Sequence, residues 1–396
     1  MTSATVRRFT LLGTLYFAQG LPFGFFVLAL PVILRKAGYS LSAIGFLGLL
    51  FAPWALKFVW APIVDRTYWP RLGRRRSWIL AMQLAGTVVL AAVAIVPGSD
   101  ALPVLLAAML VLNLIAATQD IATDGLAVEL LPPAERGVAN GLQVAAYRIG
   151  MIVGGGVLLG FSAELGHHGI FAIMAVLTAL ASVPVLLTPE PVTVAVLASA
   201  PQLHFTRLAR AWRILALVVI YKFGEAAAQG MLKPFLVDRH LELADIAWIS
   251  GTIGAGAGMA GALAGGYFVT HLGRKRALIG FGLGQVVAVL GYAYLAFGAP
   301  SYTELYLWAG VEHFASGTAT AALFTAMMDW SRPAASGTDY TVQASAVVIA
   351  TGISGMLGGV SADLLGYGPT FLIAAALCLG AVVAVQRLFP RAPFPP

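Results

Sequence analysis

The sequence predicts an all-α membrane protein in which twelve transmembrane helices form two six-helix bundles. Three observations favour this fold class: the chain is strongly apolar, its apolar stretches are long and regularly interrupted, and its second half repeats features of its first half. Of the 396 residues, 59% are hydrophobic and 10% are charged, whereas a soluble domain carries about 25% charged residues. Such a chain cannot cover its surface with polar groups, which excludes a soluble globular protein and a disordered chain.

The length of the apolar stretches predicts helical spans. A helix that crosses the ~30 Å hydrocarbon layer needs about 20 residues, and its backbone groups must bond to one another because no water is present there. Polar residues, Pro and Gly divide the chain into twelve stretches of about this length. The predicted spans are 9–34, 41–63, 77–96, 102–130, 137–161 and 169–188 in the first half, and 210–232, 244–269, 277–298, 303–329, 340–362 and 369–387 in the second half.

The distribution of positive charge predicts the orientation. Of the 24 Lys and Arg residues, seventeen fall in the tails and in the loops on the side of the N-terminus, and only four in the opposite loops. Because cytoplasmic loops are enriched in Lys and Arg, both termini are predicted to be cytoplasmic. The expected location is the cell inner membrane. The net charge of +7 is thus a topology signal, and no nucleic-acid partner is expected. The single cysteine, Cys378, excludes an internal disulfide.

An internal repeat supports the division into two bundles. Residues 271–276 (HLGRKR) repeat residues 71–76 (RLGRRR) at an offset of 200, and several Pro, Gly and Gln positions recur at the same offset. The bundles are predicted at 1–190 and 210–396, and residues 191–209 are predicted to form a cytoplasmic linker.

A basic loop follows the second predicted span. An acidic residue at one helix end that faces arginines at the next can form an ion pair in one conformation and lose it in another. We therefore predict a conformational latch, with the alternative that the arginines only fix the topology. The predicted latch residues are Asp65, Arg66, Gly73, Arg74, Arg75 and Arg76. In the second copy Thr270 takes the acidic position, so a weaker latch is expected there.

Three motifs resemble those of a known family. Residues 19–22 (QGLP), 53–66 (PWALKFVWAPIVDR) and 117–124 (ATQDIATD) resemble the muropeptide permeases called AmpG and the related acetyl-CoA transporters, which have the major facilitator superfamily fold. Within this family the sequences of these motifs are most similar to those of the siderophore importers of the RhtX/FptX type. The resemblance implies a secondary active transporter that imports a siderophore or ferric siderophore by alternating access. An anhydro-muropeptide permease is the alternative.

Polar residues inside the predicted spans are the candidate functional residues. A charged side chain at the bilayer centre costs ~2.5–3.5 kcal/mol on insertion scales, so it needs a reason to be there. Such residues recur in the first, fourth, seventh and tenth spans, which in the resembling superfamily line the central cavity. The candidates for proton coupling are Glu225, Glu312, His313, Asp120 and Asp124. The candidates for substrate binding are Tyr16, Gln19, Phe23, Asn113, Gln119, Arg148, Lys222, Gln229, Trp308 and Gln343.

The expected pairings leave alternatives open. Asp120 and Arg148 fall at similar depth and are predicted to pair, either as a removable contact in a cavity wall or as a permanent contact between two helices. Glu225 is predicted either to carry a proton or to form a fixed ion pair with Lys222. Lys57 is expected to extend its ammonium toward the membrane surface.

Energy and partners follow from the same residues. No cofactor and no metal are expected, and the proton gradient is the expected energy source, since one proton moving down ~100 mV supplies ~2.3 kcal/mol. The expected partners are a small-molecule substrate and the lipid bilayer, with the protein as a monomer. A membrane-embedded transferase is disfavoured because the loops are short, and a channel is disfavoured by the twofold repeat with ionisable groups in both halves.

Overall fold

The computed structural model describes residues 2–31, 34, 38, 50–96, 101–190, 205–242, 245, 246 and 248–390. Most of the predicted linker 191–209 and the first part of the predicted second span, 41–49, lie outside the described residues. Within the described ranges the secondary structure is helical, apart from one isolated β-bridge between Trp69 and Gly73.

Helices follow one another along the whole described chain. The first half contains α1 (Ser3–Gly24), α2 (Ala52–Leu56), α3 (Ala61–Arg66), α4 (Arg74–Ala94), α5 (Ala101–Leu130), α6 (Arg136–Ile152), α7 (Leu158–Gly160), α8 (Ser162–Leu180) and α9 (Val183–Leu187). The second half contains α10 (Phe205–Asp238), α11 (Gly254–Leu272), α12 (Arg274–Phe297), α13 (Tyr302–Asp329), α14 (Ser336–Leu365) and α15 (Tyr367–Leu388). Three π-helical segments, Phe25–Ala29, Val153–Val157 and Trp248–Ile253, continue or precede these helices.

Nine helical stretches within the described ranges are long and apolar enough to cross a membrane. Three of the twelve predicted spans fall outside this set: 41–63 lies partly outside the described residues, and 137–161 and 303–329 contain more polar residues. Helix α13 has 28 residues, which is ample length, but Glu304, Glu312 and His313 lower its hydropathy. Helix α6 carries Asn140, Gln143 and Arg148, which lower the hydropathy of this span.

The chain forms two compact units. Unit 1 comprises Met1–Leu131, Ala146–Val196 and Pro333–Ser345, and unit 2 comprises Pro132–Ala145, Leu197–Arg332 and Ala346–Pro396. Each unit thus combines most of one half of the sequence with a short segment of the other half. The bundle limits 1–190 and 210–396 stay a prediction.

Close contacts between small residues hold α1 against α6 and the following π-helical segment in unit 1. A Cβ atom at Gly154 would lie 1.9 Å from the Leu21 carbonyl oxygen, and one at Gly150 would lie 2.2 Å from the Phe17 carbonyl oxygen. Only glycine allows such an approach of two backbones. Beyond this contact Phe25 packs edge-on against Phe171, with ring centroids 4.9 Å apart.

Unit 2 is held by glycines and by a group of aromatic side chains. A Cβ atom at Gly261 of α11 would lie 2.1 Å from the Phe314 carbonyl oxygen of α13. Phe371 of α15 lies with its ring centroid 5.9 Å from Phe235 of α10 and 5.5 Å from Tyr292 of α12. These contacts position the buried faces of α10, α12 and α13, on which the candidate site residues lie.

Candidate functional site

Helix α5 presents a row of buried polar side chains inside unit 1. Asn113, Asp120 and Asp124 recur at intervals of seven and four residues, which places them on one face of the helix. All three are buried. A buried polar group needs a partner, and the partners come from α1 and from residues 54–60.

Asp120 is bound by Lys57. The Lys57 ammonium forms an ion pair with Asp120 Oδ2, and only 2% of the Lys57 side chain is exposed. The ammonium also lies 5.4 Å from the centre of the Trp54 ring, within the range of a cation–π interaction. The expectation that Lys57 extends to the membrane surface is therefore wrong. Arg148 was predicted to pair with Asp120; it is partly buried on α6, and Lys57 makes the ion pair instead.

Asp124 is bound by α1. The Tyr16 hydroxyl donates a hydrogen bond to Asp124 Oδ1 at 2.6 Å. One turn further along α1, Gln19 Nε2 lies 3.5 Å from Thr123 Oγ1, to which it donates. The structure therefore brings together residues that the sequence placed separately in the first and fourth spans.

Aromatic rings surround Phe23 on the same side of unit 1. The Phe23 ring centroid lies 5.2 Å from that of Phe51, 5.9 Å from that of Trp54 and 5.6 Å from that of Tyr147. Trp54 Nε1 in turn donates to Asn113 Oδ1 at 2.9 Å. Two predicted binding residues, Phe23 and Asn113, thus contact the same tryptophan.

The predicted glutamines of unit 1 lie in two different places. Gln119 is buried and, together with Gln19, reaches a cavity of about 30 Å³. Gln343 is buried on α14, and its Nε2 donates to the Asp339 carbonyl oxygen at 3.1 Å, one turn earlier in its own helix.

In unit 2 the charged residues of α10 contact α13. Lys222 Nζ lies 2.7 Å from Glu225 Oε2, and 14% of the Lys222 side chain but only 1% of that of Glu225 is exposed. Ser316 Oγ donates to Glu225 Oε1 at 2.6 Å, and Lys222 Nζ donates to Thr320 Oγ1 at 3.1 Å. The negative charge of Glu225 is therefore balanced by a lysine on its own helix.

Glu312 has different surroundings. Its side chain is 1% exposed, and His313 Nδ1 lies 3.0 Å from Oε2. The Tyr292 hydroxyl donates to the same oxygen at 3.2 Å. Glu312 Oε1 has no hydrogen-bond partner within the described part of the chain. Unlike Glu225, this carboxyl group has a tyrosine and a histidine rather than a lysine beside it.

Two predicted substrate-binding residues of unit 2 are partly buried on α10 and α13. Gln229 lies one turn beyond Glu225 on α10 and is half-buried. Trp308 is half-buried on α13 and packs on Gly291, where a Cβ atom would lie 1.9 Å from its ring.

Three of the predicted latch residues, Asp65, Arg74 and Arg75, form a cluster with Glu129, Ser336 and Thr338, which we call the Asp65 cluster. Of the other predicted latch residues, Arg66 is exposed and Arg76 Nη2 donates to the Leu186 carbonyl oxygen. Asp65 Oδ1 lies 3.0 Å from Arg74 Nη2 and 2.7 Å from Arg75 Nη1. Asp65 Oδ2 accepts hydrogen bonds from the Thr338 backbone N–H at 2.7 Å and from its hydroxyl. Burial of the carboxyl raises its pKa, but the attraction of Arg75 and the hydrogen bonds from Thr338 outweigh burial, so the pKa of Asp65 is lowered.

Arg75 is the centre of the Asp65 cluster. Its side chain is fully buried, and its Nη2 lies 2.7 Å from Glu129 Oε1 and donates to Ser336 Oγ at 2.7 Å. The backbone N–H groups at the start of α4 bind a further carboxylate, because Arg75 N donates to Glu190 Oε2 at 2.9 Å. Gly73, with φ of 98°, leaves room for it, since a Cβ atom there would lie 2.4 Å from Glu190 Oε2.

Unit 2 contains an equivalent group, the Asp329 cluster. Asp329 lies 2.7 Å from Arg136 Nη1 and 2.6 Å from Arg274 Nε. Arg274 Nη2 also donates to the Pro133 carbonyl oxygen at 2.6 Å. At the offset of 200, Asp329 corresponds to Glu129 and Arg274 to Arg74. The sequence analysis found Thr270 at the acidic position of the second copy and predicted a weaker latch; in the structure the acid comes instead from Asp329 at the end of α13.

The missed acids had a signal in the sequence. Glu129 and Asp329 are both acidic, end equivalent helices and are 200 residues apart, which the internal repeat makes visible. Glu190 had no such signal, since its contact with Arg75 joins residues 115 positions apart.

The comparison with known families decides the fold. The model of the Major Facilitator Superfamily matches residues 12–308 and, a second time, residues 214–396. The chain belongs to the Major Facilitator Superfamily. It is therefore an all-helical, multi-pass membrane transporter with a small-molecule substrate, and the prediction that it is not an enzyme is confirmed.

Two individual relatives share at most about a third of their residues with this chain. The anhydromuropeptide permease of Escherichia coli (strain K12) is 30% identical over 390 residues, which cover 95% of this chain and 78% of the permease. The putative transporter AmpG 4 of Rickettsia felis is 25% identical over 387 residues, 93% of this chain and 94% of the relative. The crystal structure of the human organic anion transporter MFSD10 has the same fold, with a TM-score of 0.77, 17% identity and coverage of 98% of this chain and 100% of that chain.

Proposed function

We propose that the protein is a proton-coupled permease that imports an anhydromuropeptide across the cell inner membrane. The observation that carries this proposal is the 30% identity to an anhydromuropeptide permease over 95% of the chain. The relatives favour this substrate over the siderophore or ferric siderophore that the motif sequences led us to expect. The proposal includes twelve spans, cytoplasmic termini and a monomeric protein.

The geometry of unit 1 suits a substrate that combines a sugar with a short peptide. The rings of Phe23, Trp54 and Tyr147 offer large apolar faces against which a sugar ring packs. Trp54 and Asn113, which contact each other, also bring an indole N–H and an amide to this place for hydrogen bonds. In unit 2, Lys222 is a cation for a peptide carboxylate, because 14% of its side chain is exposed.

Proton coupling is proposed for the buried acids. Glu312 has one carboxylate oxygen without a hydrogen-bond partner among the described residues, and His313 lies 3.0 Å from the other oxygen. Such a group binds and releases a proton as its surroundings change. Glu225 shares its environment with Lys222, so a substrate carboxylate that engages Lys222 would alter the charge balance of Glu225.

We further propose that the Asp65 cluster is the conformational latch. Its contacts join Asp65 to Thr338, residues that are 273 positions apart, and Arg75 to Ser336, which are 261 positions apart. A transport cycle that moves the start of α14 away from α3 must break these contacts and form them again.

The test is uptake into membrane vesicles from cells that lack their own permease. Labelled anhydromuropeptide and a labelled ferric siderophore are offered separately, each with and without a protonophore. We expect the anhydromuropeptide to accumulate and the protonophore to abolish its accumulation. Accumulation of the siderophore alone would overturn the substrate assignment, and accumulation that resists the protonophore would overturn proton coupling.

A further inference from the structure

A small, partly open cavity lies in unit 1, with walls formed by α1, α4, α5 and α8. Its volume is about 30 Å³, and a water molecule needs about 10–15 Å³ by the same measure. Most of the wall is apolar, but Gln19, Gln119 and Thr178 reach it. The wall residues that the structure describes carry no charged side chain, so the cavity suits a small neutral molecule rather than an ion.

Two of the polar side chains bring unsatisfied atoms to the wall. Gln19 is 3% exposed and Thr178 is 8% exposed. Neither Gln19 Oε1 nor Thr178 Oγ1 has a hydrogen-bond partner among the residues that the structure describes. Leaving a buried polar atom without a partner costs about 1–3 kcal/mol. Two such atoms at one cavity indicate a ligand that forms hydrogen bonds.

Pro22 adds a third polar group. It lies inside α1 and lines the cavity together with Ala18. Proline has no backbone N–H, so the carbonyl group four residues earlier, that of Ala18, receives no helical hydrogen bond from it. Ordered water is one of the partners that satisfy a carbonyl group freed by proline within a membrane.

We propose that this cavity is a water-binding site formed by Gln19, Thr178 and the Ala18 carbonyl group. Gln19 Oε1 and the Ala18 oxygen only accept hydrogen bonds, and a water molecule donates two. The Thr178 hydroxyl donates to the same water or accepts from a second one. Because Gln19 Nε2 donates to Thr123 Oγ1, the residue before Asp124, the site hydrates the helix contact that holds the Tyr16–Asp124 pair. It does not depend on which substrate is carried.

Hydroxyl-radical labelling by X-ray radiolysis tests this site, because it marks side chains that lie beside bound water. The full chain is reconstituted in lipid nanodiscs and irradiated in water enriched in oxygen-18. Leu112 lines the cavity and is 4% exposed, whereas Leu15 of α1 is 0% exposed and is not among the described residues that line the cavity. We expect oxygen-18 at Leu112 and none at Leu15; equal labelling of the two would overturn the proposal.

Two variants locate the water. The double variant Gln19→Leu/Thr178→Val removes the polar partners and is expected to lose the label at Leu112. Gly86→Ala keeps those partners but adds a methyl group to the wall. Among the described residues the methyl group meets only Ile115 Cγ2, at 3.7 Å, which is an ordinary contact. Gly86→Ala is also expected to lower the label at Leu112. Either variant suffices if the other does not fold, and labelling at the wild-type level in a folded variant would overturn the site.

Discussion

Lys57 and Asp120 form an ion pair that is buried inside unit 1. The position 200 residues after Asp120 is Thr320, and the Lys222 ammonium donates to its hydroxyl at 3.1 Å. A lysine therefore contacts the same repeat position in each half of the chain, although the two lysines come from non-equivalent spans. In unit 1 the contacted residue carries the negative charge, whereas in unit 2 the charge lies on Glu225. Loss of either lysine leaves a buried carboxylate without its cation.

We expect Lys57→Met to lower the free energy of unfolding by about 3–5 kcal/mol, because it leaves the Asp120 charge buried and unpaired. The double variant Lys57→Met/Asp120→Asn should lose less than the sum of the two single variants. Thermal unfolding in detergent, followed by tryptophan fluorescence, measures all three. Lys233→Met serves as the control, since Lys233 is exposed. Strictly additive losses would show that the pair contributes nothing.

The Asp65 cluster predicts a dependence of stability on pH. The pKa of Asp65 is lowered in the folded protein, so the folded state binds its proton less tightly than the unfolded state does. The stabilisation by Asp65 is thus complete above the unfolded pKa of about 3.9 and is lost as the pH falls through the lower, folded pKa. We expect the difference in Tm between the wild type and Asp65→Asn to be constant from pH 5 to 8 and to shrink below about pH 4.

A difference in Tm that instead varies across neutral pH would contradict this assignment, because it would require another group to titrate with Asp65. Unfolding scans of the two proteins in the same series of buffers measure the difference at each pH. Irreversible scans are compared at one heating rate.

The helices were predictable because their limits coincide with the edges of apolar stretches. Helix α5 runs from Ala101 to Leu130 where the sequence predicted 102–130, and α13 runs from Tyr302 to Asp329 where it predicted 303–329. The start of α4 at Arg74 rather than 77 has a local cause. The Glu190 carboxylate binds its first backbone N–H groups, which extends the helix into the basic loop.

The partners of the site residues were less predictable, because helix periodicity gives a face but no neighbour. The face of α5 that carries Asp120 and Asp124 followed from their spacing. Which cation lies next to Asp120 depends on how residues 54–60 pack on α5. The predicted depth of each residue in the membrane was not enough to decide between Lys57 and Arg148 as its partner. The contact of Glu129 with Ser336 joins positions 207 residues apart, for which only the internal repeat offered a hint.

Gly154 tests the contact between α1 and the π-helical segment. Gly154→Ala would place a Cβ atom 1.9 Å from the Leu21 carbonyl oxygen, so the two backbones must separate, at a typical cost of about 1–3 kcal/mol. Gly156→Ala is the matched control in the same segment, because no neighbouring atom of the described residues lies within 4 Å of its added Cβ. We expect Gly154→Ala to lower Tm and Gly156→Ala to leave it unchanged or raise it slightly. Equal effects would mean that the helices do not approach as described.

Glu312 is the sharpest test of proton coupling. Glu312→Gln keeps the size of the side chain but removes its ability to carry a proton, so accumulation driven by a proton gradient should be lost. Exchange of substrate across vesicles at equal concentrations needs no net proton movement and should persist. Glu304→Gln is the control on the same helix, because Glu304 lies at the helix start and Gln also completes a capping box. If Glu312→Gln accumulates substrate as the wild type does, Glu312 is not the proton carrier. Glu225→Gln in the same assay then tests whether Glu225, which is paired with Lys222, carries the proton.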